Sequence, residues 1–304
     1  MTQRRDIYST ITDQIIAAIK AGTQTWTMPW HHRGTPVMRP TSAAGRRYAG
    51  INRLVLWATA DALGYGSGTW ATYIQWGQHG GQVRKGERGT HVVLWKRAER
   101  QDAGASDAME SGEAGSARVR CFARAFVVFN RDQVDGVVED AIADVAPMDT
   151  ATGEALAFFD RVGVPIEYGC YDAHYRSDLD RIFMPERSAF DSDLDLISTL
   201  GHEVTHASGA ASRLARETLR DYHKERSIRS REELVAELGS AMLMADLGLA
   251  YTPRPDHAAY VASWLVHLKN DPRAIFKAAA QAQAAADWIH AQAKAVSEPL
   301  LLAA

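Results

Sequence analysis

Residues 196–209 read LISTLGHEVTHASG, which sets His202 and His206 four apart with Glu203 between them. On a helix, residues at i and i+4 share one face about a turn apart. Both imidazoles then reach a single Zn2+, and Glu203 stands beside the open coordination position, where it can take a proton from water. Chance supplies so short a pattern in on the order of one chain in a hundred, so context decides its worth. The preceding DLDLISTL has a helical apolar period, Val204 and Thr205 are uncharged, and Gly209 stands where a helix would stop. A catalytic ion also needs a third protein ligand. Residues 230–248, SREELVAELGSAMLMADLG, form a helix-prone segment with Glu233 and Glu237 on one face. Glu233 is expected as the ligand, and Glu237 as the carboxylate that accepts the outer N–H of a ligating histidine. Glu232 is expected to be a surface acid. Standing alone, the glutamate pair would read as a solvated stripe; the histidine pair shifts the balance.

Other residues near this motif carry weaker signals. The segment DRIFMP, 180–185, suits an edge strand that aligns an extended peptide by main-chain pairing, and equally a core strand. Tyr175, Tyr222 and His223 could polarise a carbonyl, although an isolated Tyr or His more often packs or hydrogen-bonds as structure. His174, His257, His267 and His290 lack ligand spacing and are expected to be surface or core histidines.

The elements that must position these groups belong to a 304-residue chain, 46% hydrophobic, long enough for two domains that each bury a core. No apolar run approaches the roughly 20 residues that cross a bilayer, and the start has no secretory core. Ile7, Ile11, Ile15 and Ile19 instead predict an amphipathic first helix, in a protein expected to be cytoplasmic. Cys121 and Cys170 are too few and too distant for a disulfide framework. QDAGASDAMESGEAGSA, 101–117, predicts a flexible insertion between strands at 90–96 and 118–130 that pair as a hairpin. Further helices are expected at 6–21, 51–63, 70–78 and 150–162, short strands at 164–168 and 180–185, and helix from 192 onward. The fold class is α+β, with a boundary near DVAPMDT that separates residues 1–144 from 145–304.

Charge divides the chain as well. Residues 1–100 hold 14 Lys and Arg against 5 Asp and Glu, a net +9, and the rest holds 20 against 32, a net −12. A polyanion partner for the basic part accounts for this, as does docking of the basic part on the acidic one. Six of the eight tryptophans lie in the basic part. Aromatic faces that stack on exposed bases, interleaved with cations that track phosphates, suit single-stranded nucleic acid, and no duplex-reading motif is present. The candidate DNA-binding residues are Trp26 and Trp30 in WTMPW, Arg46 and Arg47, Trp70 and Tyr73 in SGTWATY, and Arg84, Lys85 and Arg88 in the turn VRKGERG. Trp57 and Trp95 sit in apolar-periodic segments and are expected in the core.

Several stretches resemble a known family. WTMPW, RRYAGINRLVLW, GTWATYIQW, GGQVRKGERGTHVVLWK and FVVFNRDQVDG are similar to the N-terminal domain of ArdC-type antirestriction proteins, itself related to part of TraC-type plasmid primases. YDAHYRSDLDRIFMPERSAF, LGHEVTHASGAASRL and REELVAELGSAML resemble that family's zincin-like metallopeptidase domain. The resemblance spans nearly the whole chain. It implies a small α/β domain that binds single-stranded DNA, a mostly helical gluzincin-like domain, and a mobile-element role in carrying incoming DNA past host restriction. It also implies His202, His206 and Glu233 as ligands of zinc, manganese or another divalent ion, and Glu203 as the acid/base. The family usually has Trp after the second histidine, where this chain has Ala207. Two classes of function follow: protection of DNA by occupancy, or a working peptidase delivered by DNA binding to a host restriction enzyme or other protein.

Overall fold

The computed structural model describes residues 6–22, 39–97, 121–137, 148–249 and 257–295. The isoleucine spacing forms α1 (Ile7–Gly22), with Ile11 and Ile15 fully buried. Helix α2 (Ile51–Leu63) buries Leu54, Val55 and Trp57 and stops at Gly64, whose φ of 67° is the left-handed conformation that a glycine adopts without strain. Strands β1 (Thr41–Ser42), β2 (Thr69–Ala71), β4 (Thr90–Arg97) and β5 (Cys121–Asn130) form a sheet in the order β1-β2-β5-β4. Strands β4 and β5 pair antiparallel from Thr90↔Val128 to Arg97↔Cys121, the hairpin expected across the insertion; the insertion itself lies outside the described residues. The helix expected over 70–78 is split. Residues 69–71 extend β5 as β2, and only α3 (Tyr73–Gln78) is helical, because Thr72 and Gln75 form a reciprocal capping box that starts the helix there. A small second sheet pairs β3 (Gln82–Val83) with β6 (Val134–Asp135).

The second half opens with α4 (Met148–Asp160), then β7 (Ile166–Tyr168), β8 (His174–Arg176) and β9 (Arg181–Met184). The strand order is β7-β9-β8. Residues 181–184 are therefore the central strand, with Ile182 and Met184 fully buried, and the edges are β7 and β8, of which the sequence did not reveal β8. Helices α5 (Asp193–Ser208), α6 (Glu217–Arg220), α7 (Arg226–Asp246), α8 (His257–Asn270) and α9 (Ala274–Ala295) follow. No helix among the described residues is long and apolar enough to cross a membrane.

A large part of the core is continuous between the two halves, and the N-terminal half keeps a smaller cluster of its own around Ala71, Trp76, Val83 and Val134. A single cluster of buried side chains runs from Ile11, Leu54 and Trp57 to Met242, Leu243, Ile275 and Ala279. The alanine-rich face of α9 admits α2 closely, and its Gln283 accepts a hydrogen bond from the Gly50 amide at 3.2 Å. Fully buried Arg53 on α2 donates to the Met242 carbonyl at 2.7 Å and to Asp246 at 2.9 Å at the end of α7; Asp246 also binds Arg39 at 2.7 Å and His290 at 3.1 Å.

Candidate metal centre and nucleic-acid face

Helices α5 and α7 cross at glycines. A Cβ on Gly239 would come within 2.4 Å of the Thr205 side chain, and one on Gly201 within 2.9 Å of Ser240 Oγ. The close approach is sealed by Ser240 Oγ donating to the Ser198 carbonyl at 2.7 Å. It brings the His202/His206 face of α5 against the Glu233/Glu237 face of α7.

The result is a compact set of donors. His202 Nε2 lies 3.1 Å from His206 Nε2 and 3.3 Å from Glu233 Oε2, and His206 Nε2 lies 3.6 Å from Glu233 Oε1. Ligands about 2.0–2.1 Å from a tetrahedral ion sit about 3.4 Å from one another, and the two imidazole nitrogens and the two Glu233 oxygens are spaced on that scale. Among the described residues, His202, His206 and Glu233 are the one group of three such donors found close enough to share an ion, and all three are buried. Tyr222 donates its hydroxyl to Glu233. Burial opposes the charged form of Glu233, yet the two histidines hold its carboxyl well below the usual range.

Each histidine has a carboxylate behind its outer nitrogen. Glu237 Oε2 lies 3.7 Å from His202 Nδ1. For His206 the residue is Glu232, at 3.2 Å from Nδ1, so the surface acid expected from the sequence is in fact fully buried. One residue along a helix turns the side chain by about 100°, which moves Glu232 off the metal face and into a wall formed by the segment after α5. There it accepts from Arg216 at 2.7 Å and from Thr218, and Arg216 also donates to Ser208 Oγ at 2.8 Å and the Thr205 carbonyl at 2.6 Å. Burial raises the Glu232 pKa, and His206 and Arg216 outweigh it to bring the group to about 2. Gly209 matters for space here: its φ of −81° is ordinary, but a Cβ would lie 2.7 Å from the Arg216 guanidinium.

A cleft of about 390 Å3 opens over these donors, lined by Glu203, His206, Glu233, Tyr222, His223 and the β8 strand. Tyr175 is committed elsewhere: its hydroxyl donates to Asp180 at 2.7 Å, and burial together with that carboxylate pushes its pKa up to about 12. His174, set aside in the sequence, lines the cleft and stacks on Phe183 at 5.1 Å between centroids.

Comparison with known proteins gives the family of the chain. A family profile described as zincin-like metallopeptidase matches residues 153–281, and one described as the N-terminal domain of anti-restriction factor ArdC matches residues 5–129. The crystal structure of metal-free antirestriction protein ArdC from the R388 plasmid superposes with a TM-score of 0.76 at 39% identity, covering 95% of this chain and 98% of that one. The chain belongs to the ArdC-type antirestriction family. A Mn(II)-bound structure of the same ArdC aligns at 38% identity with a TM-score of 0.76. The uncharacterized protein y4eC of Sinorhizobium fredii is 44% identical over 288 residues, 94% of this chain and 92% of that protein. DNA primase TraC of Escherichia coli is 34% identical over 305 residues, of which this chain spans only 20% of the primase.

On the N-terminal side of this ArdC-family chain, the structure divides the candidate DNA contacts. Trp70 is 1% exposed, with its ring edge-on to Tyr65 at 6.0 Å, so it builds the core and cannot stack on a base. Trp57 is buried under Arg53, as expected. Arg84 braces its own loop, donating to Glu87 at 2.9 Å, Asp135 at 3.4 Å and the Asp132 carbonyl. Arg46, Arg47, Lys85 and Arg88 are exposed and carry no ion pair among the described residues, and Tyr73 is 54% exposed. Trp26 and Trp30 lie outside the described residues, as does the side chain of Trp95.

Proposed function

We propose that this ArdC-family protein joins a single-stranded-DNA-binding N-terminal half to a divalent-metal peptidase centre held by His202, His206 and Glu233. The observation that carries the peptidase reading is the cluster of His202 Nε2, His206 Nε2 and the two Glu233 oxygens, with separations of 3.1, 3.3 and 3.6 Å, beside a cleft that His206, Glu233 and Glu203 line. Two imidazoles and a carboxylate suit zinc, and manganese is the ion in the R388 relative. When bound, such an ion supplies Lewis acidity that polarises a peptide carbonyl and makes water acidic. Glu203 takes the proton from the attacking water and returns it to the leaving amine. Glu232, 3.2 Å from His206 Nδ1, holds that imidazole in one orientation and tautomer, and Glu237, 3.7 Å from His202 Nδ1, faces the other ring. The outer edge of β8 offers main-chain N–H and C=O groups to an extended peptide. The exposed cations and Tyr73 of the N-terminal half suit a single strand, and no duplex-reading motif competes with that reading. Together these parts support occupancy of incoming DNA with a peptidase carried alongside it, against a host restriction enzyme or another protein.

The test is Glu203→Gln, measured for metal content and for cleavage of a fluorogenic peptide library. The expected outcome is unchanged metal with cleavage reduced at least about a hundredfold. Cleavage unaffected by the substitution, or a wild type that cleaves nothing when loaded, removes the peptidase reading and leaves DNA occupancy as the function. For DNA, affinity should favour single strands over duplex and fall steeply with salt. Salt-independent binding would contradict it.

A further inference from the structure

Strand β8 is three residues long and pairs on one side only, with β9. So short an edge strand frays unless something besides its ladder holds it. Its start is fixed by the stack of His174 on Phe183. Its other end runs into the turn 177–180, closed by the Arg176↔Arg181 pair, and there Asp180 sits in the left-handed region with φ 47°. Side chains other than glycine are strained in that conformation, and aspartate is among the few that tolerate it. What its carboxylate binds offsets the strain.

Several elements converge on that carboxylate. Arg213, in the segment after α5, donates to both oxygens, from Nη1 at 2.7 Å and from Nη2 at 2.8 Å. Tyr175, on β8 itself, donates its hydroxyl to Oδ1 at 2.7 Å. Arg213 also donates to the Ala207 carbonyl at 2.9 Å, one residue beyond His206, and its guanidinium lies over the Trp288 ring of α9 at 5.5 Å. A bidentate guanidinium–carboxylate pair fixes direction as well as distance. The Asp180 side chain is 48% exposed, so the pair adds little to global stability; what it supplies is placement. Residues 173–178 line the cleft together with Glu203, His206 and Glu233. The clamp ties that wall to the helix that carries both histidines.

We propose that Asp180, Arg213 and Tyr175 are positioning residues for a peptide: they hold β8 at a fixed distance from α5, so that an extended chain paired to its outer edge lies across the metal donors in one register. The inference rests on the reading of β8 as a peptide-binding edge in the peptidase proposal above. None of the three touches the reacting bond. They act through the strand, and their loss is felt in peptide binding rather than in metal binding or in proton transfer by Glu203.

The experiment uses the full-length, zinc-loaded protein and two versions of a fluorogenic peptide, one unmodified and one N-methylated at alternate residues outside the scissile bond, which removes donors needed for pairing with a strand. Asp180→Gly relaxes the turn while removing the carboxylate, and Arg213→Ala removes its partner. Each should raise KM for the unmodified peptide about three- to tenfold, the scale of one lost main-chain hydrogen bond, with kcat and zinc affinity unchanged. For the methylated peptide, wild type and variants should agree. Asp180→Asn tolerates the same φ and still accepts from Tyr175; it should fall between, and it carries the test if another variant is unfolded by circular dichroism. In the Glu203→Gln background, adding Asp180→Gly should weaken binding of the unmodified peptide by the same factor, read by fluorescence anisotropy. An unchanged KM, or a loss of equal size for both peptides, overturns the positioning role and leaves the peptidase reading standing. A wild type that binds the unmodified peptide through Asp180 but cleaves nothing removes the peptidase reading and keeps the role. A wild type that neither binds nor cleaves overturns both.

Discussion

Replacing Arg216 by alanine removes the donors that reach Glu232, Ser208 Oγ and the Thr205 carbonyl. Glu232 is fully buried and would keep only His206 and Thr218 as partners. A buried carboxylate stripped of its cation costs about 3–5 kcal/mol, a range that includes the desolvated serine hydroxyl and carbonyl only in part. Urea unfolding of the metal-free protein, followed by circular dichroism, should therefore show a loss of at least about 3 kcal/mol. Titration with a divalent ion should show a further effect, an affinity lower by about 10- to 100-fold, because Glu232, no longer anchored by Arg216, holds His206 less firmly. The double variant Arg216→Met/Glu232→Leu removes both charges and should recover much of the stability without the affinity. A loss below about 1 kcal/mol for Arg216→Ala, the scale of an exposed ion pair, would refute this account of the wall behind His206.

Other perturbations reach other parts of the molecule. Burial raises the Asp246 pKa, but His290, Arg53 and Arg39 lower it further, so the folded value is depressed. The stability it contributes is complete above the ordinary aspartate value near 4 and is lost as pH falls through the lower folded value. Unfolding midpoints of wild type and Asp246→Asn should thus differ at neutral pH and converge below about pH 4; a constant difference would contradict the assignment. Trp70→Ala should cost about 3–5 kcal/mol of stability as a core truncation, with DNA affinity per folded molecule unchanged. Gly239→Ala should cost about 1–3 kcal/mol by overpacking against Thr205 and weaken metal binding by parting α5 from α7; calorimetry and metal titration on one sample would read both.

What the sequence made legible was local. The spacing of His202, His206, Glu233 and Glu237 fixes which side chains share a helix face, and the structure brings those two faces together. Glu232 escaped because its burial depends on Arg216, which lies in an irregular segment with no period to read. Gly209 is the helix stop its position predicted, and its second role, space for the Arg216 guanidinium, was not legible. Trp70 stood among the candidate base-stacking residues; pairing of Trp70 with Asn130 of β5 turns it inward. The β8 edge is three residues long, too short for alternation to show. The shared core was hidden for another reason. The contact of α2 with α9 joins residues more than 200 positions apart, and an alanine-rich helix face does not announce its partner.

The central claim is that His202, His206 and Glu233 hold one divalent ion. Elemental analysis and calorimetric titration with zinc and with manganese, on wild type, His202→Ala and Glu233→Ala, test it most directly. The account predicts about one equivalent bound by wild type, with both variants folded and each binding at least about a hundredfold more weakly. A wild type that takes up neither ion, or variants that bind as wild type does, would contradict it.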